Sequence, residues 1–101
     1  MIHVIASIQV KEESLSRFVE IFKSNMPAVL KEKGCISYVP AVDVPTGLTS
    51  QDMDQHRVTV IEQWNSLADL TAHMSAPHML DYRKKTKNLV EDISLRILEQ
   101  A

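Results

Sequence analysis

The sequence predicts an α+β domain of the split βαβ, ferredoxin-like kind, with a four-stranded antiparallel sheet. Three observations carry this. The apolar spacing switches from period two to a three-and-four pattern and back to two, then repeats the cycle. The resulting order is strand, helix, two strands, helices, strand, or βαββαβ. Finally, 101 residues with 45% hydrophobic and 24% charged side chains suit one soluble domain over residues 1–101.

The first strand runs from Ile2 to Val10. Ile2, Val4, Ala6, Ile8 and Val10 fall on one face, and His3, Ile5, Ser7 and Gln9 on the other. From about Glu13 the stripe Leu15, Phe18, Val19, Phe22, Met26, Val29 and Leu30 marks an amphipathic helix. Glu12 and Glu13 lie at its start, where the helix dipole favours negative charge. Pro27 lacks a backbone donor and is expected to kink or split the helix. Gly34, after Lys31-Glu32-Lys33, is the stop signal. A second strand follows over Cys35 to Val44, with Ile36, Tyr38, Pro40, Val42 and Val44 on one face. Pro40 cannot donate to a ladder and points to a sheet edge or a bulge.

The polar stretch Pro45 to Gln55 reads as an exposed loop, long for a hairpin. The third strand is His56 to Trp64, with Val58, Val60, Glu62 and Trp64 facing one way. Asn65 or Ser66 caps a short helix carrying Leu67, Leu70 and Met74. Pro77 opens another helix at the position proline tolerates best, with the stripe Met79, Tyr82, Thr86, Leu89 and Val90. Ile93, Leu95 and Ile97 form the last strand. Helices cover one sheet face. The other carries Ile5, Val39, Ala41, Ile61 and Leu98 among polar residues, a half-apolar surface suited to a partner.

A net charge of -2 without a clustered basic surplus argues against nucleic acid as a partner. The single cysteine, Cys35, cannot form an internal disulfide and suits a reducing compartment. Met1 leads straight into a strand, and no apolar run approaches the ~20 residues a membrane span needs. The expected location is therefore the cytoplasm, with no membrane partner.

Several residues carry chemistry. Trp64 is either core or the wall of a pocket. His73 can serve as a base or hydrogen-bond a ligand oxygen; its structural alternative is to lock a helix end onto the sheet. His78 sits in the first turn of a helix, where protonation is disfavoured and exposure is expected. Glu62 faces the helices and needs a partner, for which His73 and Arg57 are the candidates. The hydroxyls of Tyr38 and Tyr82 can line a pocket, and Ser7 is a weaker candidate. Cys35 has no charged helper to make it a nucleophile. The spacing of His3, His56, His73 and His78 does not suit a zinc site, so no metal is expected. Arg83, Lys84, Lys85 and Lys87 read as a solvated helix face.

Two runs resemble a known family. Glu32-Lys33-Gly34-Cys35-Ile36-Ser37-Tyr38 leads from the first helix into the second strand. Glu62-Gln63-Trp64, Leu67, Leu70, His73 and Ala76-Pro77-His78 then follow an E-x-W…H…PH pattern. Together they resemble the antibiotic biosynthesis monooxygenase domains over nearly the whole chain, the Pro45 to Gln55 loop being longer than usual. The resemblance implies a dimeric α+β barrel: a homodimer with its two sheets face to face, each subunit keeping a pocket between sheet and helices. It also implies a quinol-type monooxygenase with no metal, flavin or haem cofactor. Its small quinol or phenolic substrate, once deprotonated, passes an electron to dioxygen. On that reading His73 and Glu62 are catalytic, and Trp64, Tyr38, Tyr82, His78 and Ser7 contact substrate. Several oxygenases of the family orient substrate with an asparagine four residues before the tryptophan, where this chain has Val60. Haem-degrading relatives need an asparagine on strand one, and Ile2 to Val10 has none. The rival expectations are an isomerase or lyase using Glu62 and His73 on a small polar metabolite, and a non-catalytic dimeric ligand-binding module.

Overall fold

A computed structural model describes all 101 residues. The elements are β1 (Ile2–Val10), α1 (Leu15–Leu30), β2 (Cys35–Val42), β3 (Arg57–Trp64), α2 (Leu67–Met74), α3 (Pro77–Thr86) and β4 (Val90–Leu98). The four strands form one antiparallel sheet in the order β2-β3-β1-β4. The predicted fold class is the one observed. Pro40 lies on β2, an edge strand, where proline is tolerated.

Alternation assigns the faces as expected in β1 and β3. Val4, Ala6, Ile8, Val10, Val58, Val60, Glu62 and Trp64 are all buried beneath the helices. Phe18, Ile21, Phe22 and Val29 of α1, Leu70 of α2, and Met79 and Tyr82 of α3 close over them. The opposite face carries Val39, Ile61 and Leu98 exposed, as the sequence suggested.

The structure corrects several local expectations. Glu13 adopts φ 70, the left-handed region, so it belongs to the turn before α1; the helix begins at Leu15, behind Ser14. Pro27 does not split α1, which runs unbroken to Leu30. Proline removes one donor but leaves the neighbouring hydrogen bonds, and burial of the Phe22 and Val29 face holds the helix together. In β2 the register slips between Cys35 and Ser37, a bulge that turns Ile36 outward, away from the Tyr38 face. Ser66, not Asn65, caps α2, its hydroxyl accepting from the Asp69 amide at 3.1 Å. Val90 opens β4 instead of ending the α3 stripe.

Two turns matter for the site. Gly34 has φ 80, and an added Cβ would run into the Asp69 side chain, so only glycine fits between α1 and β2. Its carbonyl accepts from the Asn65 amide at 2.9 Å, pinning this turn to the start of α2. The long β2–β3 loop is tied at its base by Arg57, which donates to Asp43 at 2.6 Å and Asp52 at 3.2 Å. Arg57 is thereby occupied and is not the partner of Glu62. No helix is long and apolar enough to cross a membrane.

Candidate functional site

The helices do not cover the whole sheet. α1 packs on β2 and α3, and α2 on β3. On β4, Ile93, Leu95 and Ile97 pair with Ile8, Ala6 and Val4 and so face the helix side, yet Ile93 and Leu95 stay 56% and 44% exposed. The gap between α3 and β4 opens a cavity of about 530 Å³. Its floor is Val4, Ala6, Ile8, Val60 and Glu62, with Tyr38 beside them. Phe22, His73, Met74, Met79, Tyr82 and Thr86 close it from the helices. Val90, Ile93 and Leu95 form the β4 wall, and Arg83 and Lys84 of α3 and its C-cap Lys87 line the cavity as well.

His73 sits near the end of α2 and is only 2% exposed. Its Nδ1 lies 2.8 Å from Glu32 Oε2. An ionised carboxylate accepts, so Nδ1 carries the proton and Nε2 keeps its lone pair. No hydrogen bond within the chain engages Nε2, and His73 borders the cavity. The ring is wedged between Trp64 and Tyr38, with centroids 4.7 Å and 5.5 Å away. Burial lowers its pKa below the ordinary 6.5, with the hydrogen bond and charge of Glu32 pulling the other way. The imidazole is therefore neutral at physiological pH, held in one tautomer and one orientation.

Glu62 is buried and accepts from Trp64 Nε1 at 2.9 Å. Burial raises its pKa to about 7 despite that bond, and the charge of Glu32 pushes the same way. Burial also raises both tyrosines, so Tyr38 and Tyr82 present protonated hydroxyls to the cavity. Tyr38 is stacked on Phe22 at 5.2 Å, which fixes its plane. Cys35 is pushed to about 11 by burial and then by Glu32 and Glu62, so it stays a thiol. No cluster of three or more His, Cys, Asp or Glu side chains is placed to hold a metal ion.

The sequence-derived candidates separate into two groups. His73, Glu62, Tyr38 and Tyr82 meet at the cavity. Trp64 does not wall it: it is fully buried behind His73 and Glu62. His78 does not line the cavity; its Nε2 lies 2.8 Å from the same Glu32 Oε2 that His73 contacts. Ser7 pairs with Thr59 and Ser94 on the open sheet face, because odd positions of β1 point away from the helices. Glu62 partners Trp64 and not His73. Sequence reasoning assigned Glu32 no role at the site, although it is the side chain that anchors His73. Its position at the head of the Glu32–Tyr38 run was the available signal.

The buried carboxyl makes stability pH-dependent. Below its ordinary pKa of 4.5, Glu62 is protonated whether the chain is folded or not. Between 4.5 and about 7 only the unfolded chain ionises, so stability is lost as pH rises through that window. Two to three pKa units correspond to roughly 3 kcal/mol. His73 acts in the opposite sense, removing stability as pH falls below 6.5. Glu62→Gln keeps an oxygen for Trp64 and removes the ionisation. Urea denaturation should therefore find this variant more stable than wild type at pH 8 and near wild type at pH 4.5. An equal difference at both pH values would show that Glu62 is not held protonated.

The model of the family described as antibiotic biosynthesis monooxygenase matches residues 1–85. The chain is 39% identical to the Escherichia coli (strain K12) protein described as "Probable quinol monooxygenase YgiN", covering 98% of this chain and 97% of that one. A crystal structure described as an antibiotic biosynthesis monooxygenase superposes with TM-score 0.83 at 20% identity, over 100% of this chain and 99% of the other. A conserved protein from Methanosarcina mazei Go1 superposes with TM-score 0.85 at 24% identity, over 99% and 92%.

Proposed function

Since the chain belongs to the antibiotic biosynthesis monooxygenase family, we propose that it is a cofactor-independent monooxygenase acting on a small quinol or phenol. The observation that carries the reading is His73, a buried neutral imidazole anchored through Nδ1 to Glu32, with Nε2 free beside the cavity. The neighbouring surface favours an aromatic body over a polar metabolite, since 12 of the 18 lining residues are hydrophobic.

His73 Nε2 takes the proton from a substrate hydroxyl. The imidazolium formed is stabilised by Glu32, and the phenolate beside it becomes an electron donor to dioxygen. Shifting a phenol pKa from ~10 to about 7 needs roughly 4 kcal/mol of preferential anion stabilisation. A charge-assisted hydrogen bond from the imidazolium contributes ~1.5–3 kcal/mol of it. The hydroxyls of Tyr38 and Tyr82 are further donors. A phenol or quinol with a free ring carbon supplies all the electrons. One oxygen atom becomes a ring carbonyl and the other leaves as water, the displaced ring hydrogen and hydroxyl hydrogen going to that water. Glu62, buried with a pKa near 7, exchanges a proton at the cavity floor.

The test is oxygen uptake with a panel of hydroquinones and naphthols, with chelator present and flavin absent. Uptake matched by a quinone product that carries one atom of labelled dioxygen supports the reading, and quinone formed with hydrogen peroxide and no label overturns it. No uptake with any of them overturns it, and turnover under nitrogen assigns the cavity to isomerase chemistry.

The open sheet face supports a homodimer as part of the same proposal. Val39, Ile61 and Leu98 are exposed there, with Ile5 and Ala41 partly so. Burying two such faces together removes on the order of 2,000 Å² from water, the range of obligate dimers. Sedimentation at micromolar concentration is expected to give a dimer, and Ile61→Asp a monomer. Wild-type protein sedimenting only as monomer would contradict this pairing.

A further inference from the structure

The cations of α3 and its C-cap residue, Lys87, divide into two sets. Lys85 faces solvent and is paired with Asp81 at 3.0 Å. Arg83, Lys84 and Lys87 border the cavity instead, and none of them makes an ion pair. Arg83 only approaches Met74 Sδ, at 3.9 Å. The wall across from them is Ile93 and Leu95, which have nothing to offer a cation. The one carboxylate lining the cavity is Glu62, on the floor. The positive charge of Arg83 is felt at both His73 and Tyr82, so this rim is electrostatically continuous with the site.

We propose that Arg83, Lys84 and Lys87 form an anion subsite, and that the ligand of this cavity is an aromatic acid: an apolar ring system carrying one carboxylate-type substituent held at the α3 rim. The inference rests on the aromatic reading of the cavity given above and adds the charge and orientation of the ligand. A helix face that was merely solvated would pair its cations as Lys85 does, or scatter them. Here three unpaired positive charges converge on an apolar opening, where field lines from like charges concentrate. The ligand's orientation follows. The floor of Val4, Ala6, Ile8, Val60 and Glu62 offers an anion no cationic partner, so the carboxylate stays at the rim and the ring carbons and hydroxyl lie inward, towards His73. The rim is thus a specificity determinant. It selects among aromatics and takes no part in proton transfer.

The experiment separates binding from turnover by using redox-inert probes. Naphthalene-2-carboxylate and naphthalene-2-carboxamide differ in charge and little in shape. Calorimetric titration at low salt is expected to show the carboxylate binding on the order of tenfold more tightly, as several partly exposed charge contacts allow. In the Arg83→Gln/Lys84→Gln/Lys87→Gln variant the preference should fall to within about twofold, and about 0.5 M NaCl should have the same effect on wild type. The carboxamide affinity should be unchanged by either. Equal binding of both probes to wild type overturns the anion subsite while leaving the aromatic cavity intact. A carboxylate preference that survives the triple substitution also overturns it, by placing the anion elsewhere. Binding of neither probe overturns the subsite and the aromatic reading together.

Discussion

Replacing His73 by alanine is expected to lower kcat for a hydroquinone about 10²-fold, with KM little changed. A factor of 10² corresponds to ~2.7 kcal/mol of barrier, within the usual contribution of a positioned general base. The effect should fall on kcat because His73 stabilises the deprotonated substrate far more than the neutral one. The alanine variant leaves Glu32 with His78 as its remaining partner, so the carboxylate is not orphaned and the fold should survive. His73→Asn is the stricter variant, since its amide can still donate to Glu32 but cannot accept a phenolic proton. Both should regain activity as pH approaches the substrate's own pKa, where hydroxide does the base's work. Unchanged kcat in either folded variant would assign His73 a purely structural role. Glu32→Gln should give a smaller loss, about tenfold, because it removes the charge that stabilises the imidazolium while leaving the ring in place.

Trp64→Phe is expected to act on stability and not on substrate affinity. Trp64 is fully buried and makes no part of the cavity wall. Phenylalanine leaves a void where the second ring stood and removes the donor that holds Glu62. Large-to-small core changes and unpaired buried polar groups together cost on the order of 2–4 kcal/mol. The loss should be greater at pH 8 than at pH 5. At pH 8 the wild-type indole N–H stabilises a carboxylate, whereas at pH 5 the carboxyl is protonated. Introducing Glu62→Gln alongside should remove that pH dependence and leave only the packing loss. Denaturation midpoints of the four proteins of this cycle, at both pH values, supply the check. A raised KM with unaltered stability would return Trp64 to the cavity wall.

Much of the site was legible in one dimension because strand alternation is a local rule. Val58, Val60, Glu62 and Trp64 had to share a face once the segment was a strand, and that face had to meet the helices because the other, with Thr59, Ile61 and Gln63, is less apolar. Glu62 and Trp64 are two residues apart on that strand, so their nearness was implicit. Their hydrogen bond was not, since it depends on rotamers set by the packing around them. The same alternation rule placed Ser7 away from the cavity.

The sequence by itself determined the fold class, the sheet faces and the glycine at position 34, since each follows from the chemistry of neighbouring residues: apolar period, ring constraint, or the left-handed φ only glycine adopts without strain. Only the tertiary structure decided what His73 is bonded to. Glu32 lies 41 positions earlier in the chain and reaches His73 because the Gly34 turn is tied to the head of α2. It likewise decided that Arg83, Lys84 and Lys87 border a cavity. Their spacing is that of any solvated helix, and what makes them different is the bare β4 strand that α3 fails to cover. No local pattern records which part of a sheet its helices leave open, because that is set by how α1 and α3 pack against each other across the whole domain.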